Sequence, residues 1–198
     1  MILKKHSVNK LNNFISGWYI NNDSLCDNLI NYFETNPNKF KGKVEGKVGS
    51  KGEVKKSEKD STDLGIIDFQ VPVIKEYLTH LYFVIKEYQK QYIYSNIGQS
   101  SWSLKPFNIQ RYLPNEGFHA WHTERNNVGN SLRHLTFMTY LNNVNEGGET
   151  EFFYQKLKIK PEKGLTLIWG TDWTFTHRGV PSKTETKYIT TGHYHYDS

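Results

Sequence analysis

RHLTFMTYLNNVNEGGETEFF, residues 133–153, is the stretch whose reading decides the fold class. RHLTFMTYLNNV reads as one long strand, rich in Thr and aromatic residues that favour a pleated, half-buried surface. NEGGE, residues 145–149, turns the chain, because its glycines permit positive φ. ETEFFY then starts the next strand. FNIQRYL (107–113) precedes this pair, and KLKIKP (156–161), PEKGLTLIWG (161–170), WTFTHRG (173–179) and KYITTGHYHY (187–196) follow it. Seven short strands at near-regular spacing predict an antiparallel sandwich or open barrel.

The first half of the chain has a different pattern. SVNKLNNFISGWYI, residues 7–20, reads as a short strand or loop entering the domain. NDSLCDNLINYFETNP, residues 22–37, predicts a helix capped by Asp23 or Ser24 and closed by Pro37. Leu25, Leu29, Ile30 and Phe33 form its apolar face. PVIKEYLTHLYFVIKEYQKQYIY, residues 72–94, is the clearest helix. Pro72 starts it, and Ile74, Tyr77, Leu78, Leu81, Ile85, Tyr88 and Tyr92 recur at helical spacing, a face expected to pack on a sheet. Between the helices, residues 38–64 are rich in Lys, Gly and Glu, with Val44, Val48 and Val54 the notable apolar positions. They read as a mobile loop or a twisted hairpin, either a lid over a site or a plain insertion. Helices first and strands second predict a single domain over 1–198: helical support over 1–99 buttressing one face, and a β core over 100–198.

The 198 residues are 36% apolar and 15% aromatic, a globular rather than a disordered composition. The net charge of +5 would suit an anionic partner. Much of it lies between Lys39 and Lys59, so it reads as a solvated loop. The single cysteine, Cys26, excludes an internal disulfide and a multi-cysteine zinc site, and suits a reducing compartment. MILKKHSVNK is no convincing signal peptide. No apolar run approaches the roughly 20 residues of a membrane helix. A soluble, cytoplasmic protein is expected.

FHAWHTERNN, residues 118–127, carries the chemistry. A mononuclear iron(II) site uses two histidines and one carboxylate on one face of the metal, leaving other positions open. On extended chain, residues i and i+2 point the same way. His122 and Glu124 meet this condition; His119, an odd offset from His122, does not. The third ligand is expected from a distant strand, with His134, His177, His193 and His195 as candidates. His177 has a cation, Lys187, ten residues on, and such a cation would hold the far carboxylate of a dicarboxylate that chelates the metal.

These motifs resemble the catalytic domain of prolyl 4-hydroxylase-type iron(II)/2-oxoglutarate oxygenases. The likeness rests on HTE, YLNNVNEGGETEF, the P-x-KG corner, THRG and TKYITTGHY, and spans about residues 107–196. It implies a double-stranded β-helix, or jelly roll, and an enzyme that converts 2-oxoglutarate and O2 to succinate and CO2 while hydroxylating a C–H bond. It implies Fe(II) and 2-oxoglutarate as cofactors, with ascorbate as reductant. Carried over, His122, Glu124 and His177 match the iron ligands, Lys187 the residue pairing with the 2-oxoglutarate carboxylate, and Tyr112 and Thr136 residues facing that cosubstrate. Two positions depart from the family pattern: the acid is Glu instead of Asp, and Trp121 stands where these enzymes usually carry Pro. A retained carboxylate speaks against a halogenase.

The expected substrate is a peptidyl or free amino-acid side chain, proline first. Oxidative demethylation of nucleic acid is the alternative within enzymes. Lys187 stands where arginine would be expected of a base demethylase, and no base-stacking aromatic loop is evident. A non-catalytic jelly-roll binding module is the alternative outside them. His119 reads as a half-exposed strand residue, Arg178 as half of a surface ion pair, and His193 and His195 as strand alternation without a metal. Trp102, Trp169 and Trp173 read as core or rim aromatics. Specificity is expected in loops 38–64 and 125–131.

Overall fold

The structure is a computed structural model that describes residues 3–8, 13–44, 52–96 and 101–197. In chain order its elements are β1 (Lys4–His6), β2 (Ser16–Tyr19), α1 (Asp23–Thr35), β3 (Phe40–Lys41), β4 (Lys59–Asp60), β5 (Thr62–Ile66), α2 (Pro72–Gln91), β6 (Trp102–Leu104), β7 (Phe107–Tyr112), β8 (Gly117–Phe118), β9 (Arg133–Tyr140), β10 (Thr150–Phe152), β11 (Leu157–Ile159), β12 (Leu165–Gly170), β13 (His177–Gly179) and β14 (Lys187–Tyr196). The protein is mainly β, and every strand pairing is antiparallel.

The large sheet runs in the order β1-β2-β12-β9-β14-β7-β5-β3, with β6 also on β14. A three-stranded sheet runs β11-β10-β13, and β4 pairs with β8. β9, β12 and β14 lie at the centre of the large sheet, so both of their faces are covered. This is why LTFMTY and LTLIW lack an alternating polar face.

Two cores follow. On one side of the large sheet, Leu25, Leu29 and Phe33 of α1 and Ile74, Tyr77 and Leu81 of α2 pack with Phe107, Ile109, Phe137 and Ile168. On the other, Met138, Tyr140, Leu167, Trp169 and Ile189 meet Phe152 and Ile159 of the small sheet. Each fully buried Leu, Ile or Phe contributes about 1.5–3 kcal/mol. The NEGGE turn forms as expected, with Gly147 at φ 71° and Gly148 at φ 76°. A Cβ on Gly147 would stand 2.6 Å from the Pro181 carbonyl oxygen, so both backbone angle and space require glycine there.

Several expectations need correction. Asn22, not Asp23 or Ser24, caps α1: its side chain accepts from the Leu25 N–H at 3.0 Å. Trp173–Phe175 form a 3-10 turn, so only His177–Gly179 of WTFTHRG is strand. Residues 38–64 are not one loop. Their end forms β4 and β5, and β5 pairs along its length with β7 inside the large sheet. The hairpin alternative finds support in the bridge between Val44 and Glu53; residues 45–51, Val48 among them, lie outside the described residues. Buried Lys59 and Asp63 form an ion pair at 2.7 Å, and Gln110 Nε2 donates to Asp63 Oδ2 at 3.1 Å. Charged residues in this part of a Lys-rich stretch face inward because they neutralise each other, which composition alone does not reveal.

Candidate metal centre

A cavity of about 620 Å³ opens between the two sheets. His122, Glu124 and His177 meet in its wall, each offering one ligand atom within 4.8 Å of the others. Backbone pairing brings them together. His122 N–H donates to the His177 carbonyl at 3.0 Å and His177 N–H returns the bond at 2.9 Å, an isolated bridge that extends the small sheet. The chain beyond is tied down by Thr123 Oγ1 donating to the Thr171 carbonyl at 2.8 Å and Arg125 N–H to the same oxygen at 2.9 Å. Glu124 sits in a bend after the bridge, and its Oε1 lies 3.4 Å from His177 Nε2 and 3.9 Å from His122 Nε2.

Both rings are fixed with Nε2 turned toward Glu124. His122 Nδ1 is 3.0 Å from the Ala120 carbonyl and His177 Nδ1 is 2.9 Å from that of Phe175. A carbonyl only accepts, so each Nδ1 carries a proton, which leaves Nε2 as the nitrogen able to offer a lone pair to a metal. The His122 ring stacks on Phe118 at 3.6 Å, and the His177 ring is held between Phe152 and Trp169. Burial, reinforced by His177, pushes the His122 pKa down to about 3, which keeps it neutral. Burial alone would raise the Glu124 carboxyl, but His193, His177 and His122 together hold it well below the usual range. Two imidazoles, each turning Nε2 inward, and one ionised carboxylate are the donor set a divalent iron takes, so the residues present fit the ion.

Lys187, at the start of β14, also lines the cavity. It is only 4% exposed, donates to the Gly148 carbonyl at 2.9 Å, and stands over the Tyr112 ring at 5.0 Å. Among the described residues it has no carboxylate in ion-pair range. Burial therefore pushes its pKa down to about 8. Of the other cations in the lining, Lys59 is neutralised by Asp63, Arg133 lies 3.7 Å from Glu124 Oε2, and Lys43 is exposed to water. Lys187 is thus the cation that an incoming carboxylate would stabilise most. Tyr112 lies directly opposite Lys187 in the sheet, and its hydroxyl donates to Gln110 Oε1 at 2.7 Å. Thr136 is fully buried on the same face, opposite Trp169 and His193. Thr136 Oγ1 and Trp169 Nε1 are both buried without a hydrogen-bond partner.

The other histidines separate clearly. His119 is half-buried and outside the cluster. His134 bonds the Ser95 carbonyl and the Tyr196 hydroxyl, both at 2.8 Å. Arg178 pairs with Glu151 at 2.8 Å, as expected, and also covers the Trp121 ring at 4.5 Å. Trp121 in turn meets Phe153, Phe153 meets Tyr154, and Tyr154 meets Trp173, all edge-on and all exposed on the cavity rim or beyond it. His193, read from sequence as strand alternation without a metal, stands outside the converging trio but beside it. It lines the cavity, and its Nε2 lies 2.9 Å from Glu124 Oε2. Its parity with Lys187 along β14 was the available signal, since an even offset of six puts both on one face.

The 2OG-Fe(II) oxygenase superfamily profile matches residues 107–195. No curated protein matches the sequence. Among solved structures, a prolyl hydroxylase from Trichoplax adhaerens in complex with a peptide fragment of the hypoxia inducible factor oxygen degradation domain is 16% identical. The match covers 96% of this chain and 86% of that one, with a TM-score of 0.72. A viral collagen prolyl hydroxylase from Paramecium bursaria Chlorella virus-1, in its 2OG complex, is 19% identical over 91% and 95% of the two chains, with a TM-score of 0.65. A Pseudomonas putida prolyl-4-hydroxylase is 13% identical over 93% and 94%, with a TM-score of 0.66. At these identities the likeness is one of fold. Among the described residues no helix is long and apolar enough to cross a membrane.

Proposed function

We propose that this chain, whose residues 107–195 match the 2OG-Fe(II) oxygenase superfamily profile, is a dioxygenase dependent on iron(II) and 2-oxoglutarate that hydroxylates a peptidyl amino-acid side chain, proline first. One observation carries the site assignment: His122 Nε2, His177 Nε2 and Glu124 Oε1 converge in the same cavity as the unpaired cation of Lys187. Under this reading the first three hold the metal. Iron(II), when bound, supplies the chemistry by which this superfamily consumes O2 and 2-oxoglutarate. Lys187 receives the far carboxylate of the cosubstrate, and the Tyr112 ring beneath it fixes where the ammonium stands. Thr136 Oγ1 and Trp169 Nε1, both without partners, are the polar atoms nearby that a cosubstrate oxygen or an ordered water would satisfy. Ascorbate serves as reductant.

The fold reads as a jelly roll, with the large and small sheets as its two walls and α1 and α2 as a buttress on the outer face. The whole chain, 1–198, forms one domain. Peptide as substrate is supported by the aromatic rim: Trp121, Phe153 and Tyr154 offer stacking surface just outside the cavity, and the Trichoplax structure holds a peptide. A cytoplasmic location accords with the single buried cysteine.

The test starts with protein purified under nitrogen. Iron(II) and 2-oxoglutarate should give a weak charge-transfer band in the visible, and succinate should form in air. Proline-rich peptides, free proline and methylated oligonucleotides are then offered in parallel. A peptide gaining the mass of one oxygen supports the proposal. Formaldehyde from the oligonucleotide would replace it with demethylation, and no band with no succinate would remove the assignment of this site.

A further inference from the structure

We infer that His193 is a positioning residue for Glu124, holding one carboxylate oxygen so that the other alone faces the metal. The inference rests on the metal-site reading above and concerns why the acid is a glutamate.

The two oxygens of Glu124 have separate surroundings. Oε1 faces the two histidine nitrogens, 3.4 Å from His177 and 3.9 Å from His122. Oε2 faces away from them, 2.9 Å from His193 Nε2 and 3.7 Å from Arg133 Nη1. Arg133 also donates to the Glu124 backbone carbonyl at 2.7 Å, which fixes the root of the side chain. A carboxylate held at both its root and one oxygen has lost the freedom to swing or to chelate through both oxygens.

That restraint answers a specific problem. Glutamate has one more rotatable bond than aspartate, and ordering it costs additional side-chain entropy. The hydrogen bond from His193 opposes this cost before any metal arrives. It also uses the added length: the carboxylate bridges from the edge of the small sheet, where His122 and His177 pair, to β14 of the large sheet, where His193 stands. Aspartate, a methylene shorter, would reach one side or the other.

The same contact argues that His193 is not itself a ligand. An ionised carboxylate only accepts, so the His193 Nε2 facing it carries a proton and has no lone pair to give. Consistently, the group of converging ligand atoms comprises His122, Glu124 and His177 without His193.

The test uses Co(II) alone as a spectroscopic probe, with its dissociation constant from chelator competition and its ligand-field spectrum as readouts. His193→Ala should weaken Co(II) about ten- to hundredfold, as loss of a ligand-orienting contact does, and should alter the spectrum. His193→Gln, which keeps a donor, should recover much of the affinity. In a Glu124→Ala background, His193→Ala should cost nothing further, because it acts only through that carboxylate. An unchanged affinity and spectrum in His193→Ala would overturn the inference. So would a loss as complete as that of His177→Ala, which would make His193 a ligand, or a loss persisting without Glu124, which would make its role structural. Should His177→Ala itself leave Co(II) binding intact, the metal-site reading fails instead. Thermal melts of each variant separate these results from unfolding.

Discussion

The two faces of β14 treat buried polar groups in opposite ways. On the helix side, Thr190 bonds Tyr77 at 2.6 Å, Tyr77 bonds Thr139 at 2.8 Å, and Thr139 bonds Thr166 at 2.7 Å. Four hydroxyls satisfy one another in a closed run between α2 and the large sheet. On the cavity side, His122 and His177 each make one bond at Nδ1 and turn Nε2 toward the single oxygen Oε1 of Glu124, at 3.9 and 3.4 Å, and among the described residues buried Lys187 has no carboxylate in ion-pair range. Buried polar groups ordinarily find partners. A satisfied set holds structure together, and a convergent set on a cavity wall marks a place prepared for something else.

The comparison breaks most completely at His177. His177→Ala should abolish iron binding, measured as iron retained after desalting under nitrogen, while the far-ultraviolet circular dichroism of a folded β protein persists. Retained iron would mean these converging nitrogens are no site. Next in size is Lys187→Ala. Losing a charge-assisted hydrogen bond of about 1.5–3 kcal/mol should raise the 2-oxoglutarate requirement about ten- to hundredfold, with iron binding kept. An unchanged requirement would place the cosubstrate elsewhere.

A pH titration sharpens the same point. Lys187 has a pKa near 8, lowered from 10.5 by burial, so the free protein loses this charge above pH 8. 2-Oxoglutarate binds the protonated form, hence its affinity should hold below pH 8 and fall up to about tenfold per pH unit above it. For stability the sign is opposite: burying the ammonium costs folding energy as pH falls from 10.5 towards 8, and the cost is constant below that. Lys187→Arg should flatten the affinity profile over this range, because guanidinium stays charged; a profile that Lys187→Arg leaves in place would assign the titration to another group. The smallest effect is expected on the helix side. Tyr77→Phe removes one member of the closed hydroxyl run and should lower stability by about 1–2 kcal/mol in urea unfolding, leaving iron affinity alone. A change in iron affinity there would show that the two faces are coupled through the sheet.

Most of the β core was legible because its strands carry local signals. RHLTFMTY, LTLIWG and KYITTGHYHY are long, aromatic and Thr-rich, and each forms where its pattern places it. β5 was not legible. TDLGI sits in a lysine-rich stretch, and its inward Asp63 reads as polar until Lys59 and Gln110 are seen around it. The convergence of His122, Glu124 and His177 was legible in part. Spacing paired His122 with Glu124, but His-x-Glu works here through a bridge and a bend rather than through a regular strand.

The sequence by itself determined the antiparallel β class, the two helices, the glycine turn and the candidate ligand pair His122 and Glu124, since each depends on local backbone preference or on short spacing. The tertiary structure alone decided that β13 and the 122–124 segment pair across 55 residues, that Lys187 lacks a counter-ion while Lys59 has one, and that His193 reaches Glu124. Those facts depend on which strands lie opposite each other and on what burial removes from water, and neither is written in any short stretch of chain.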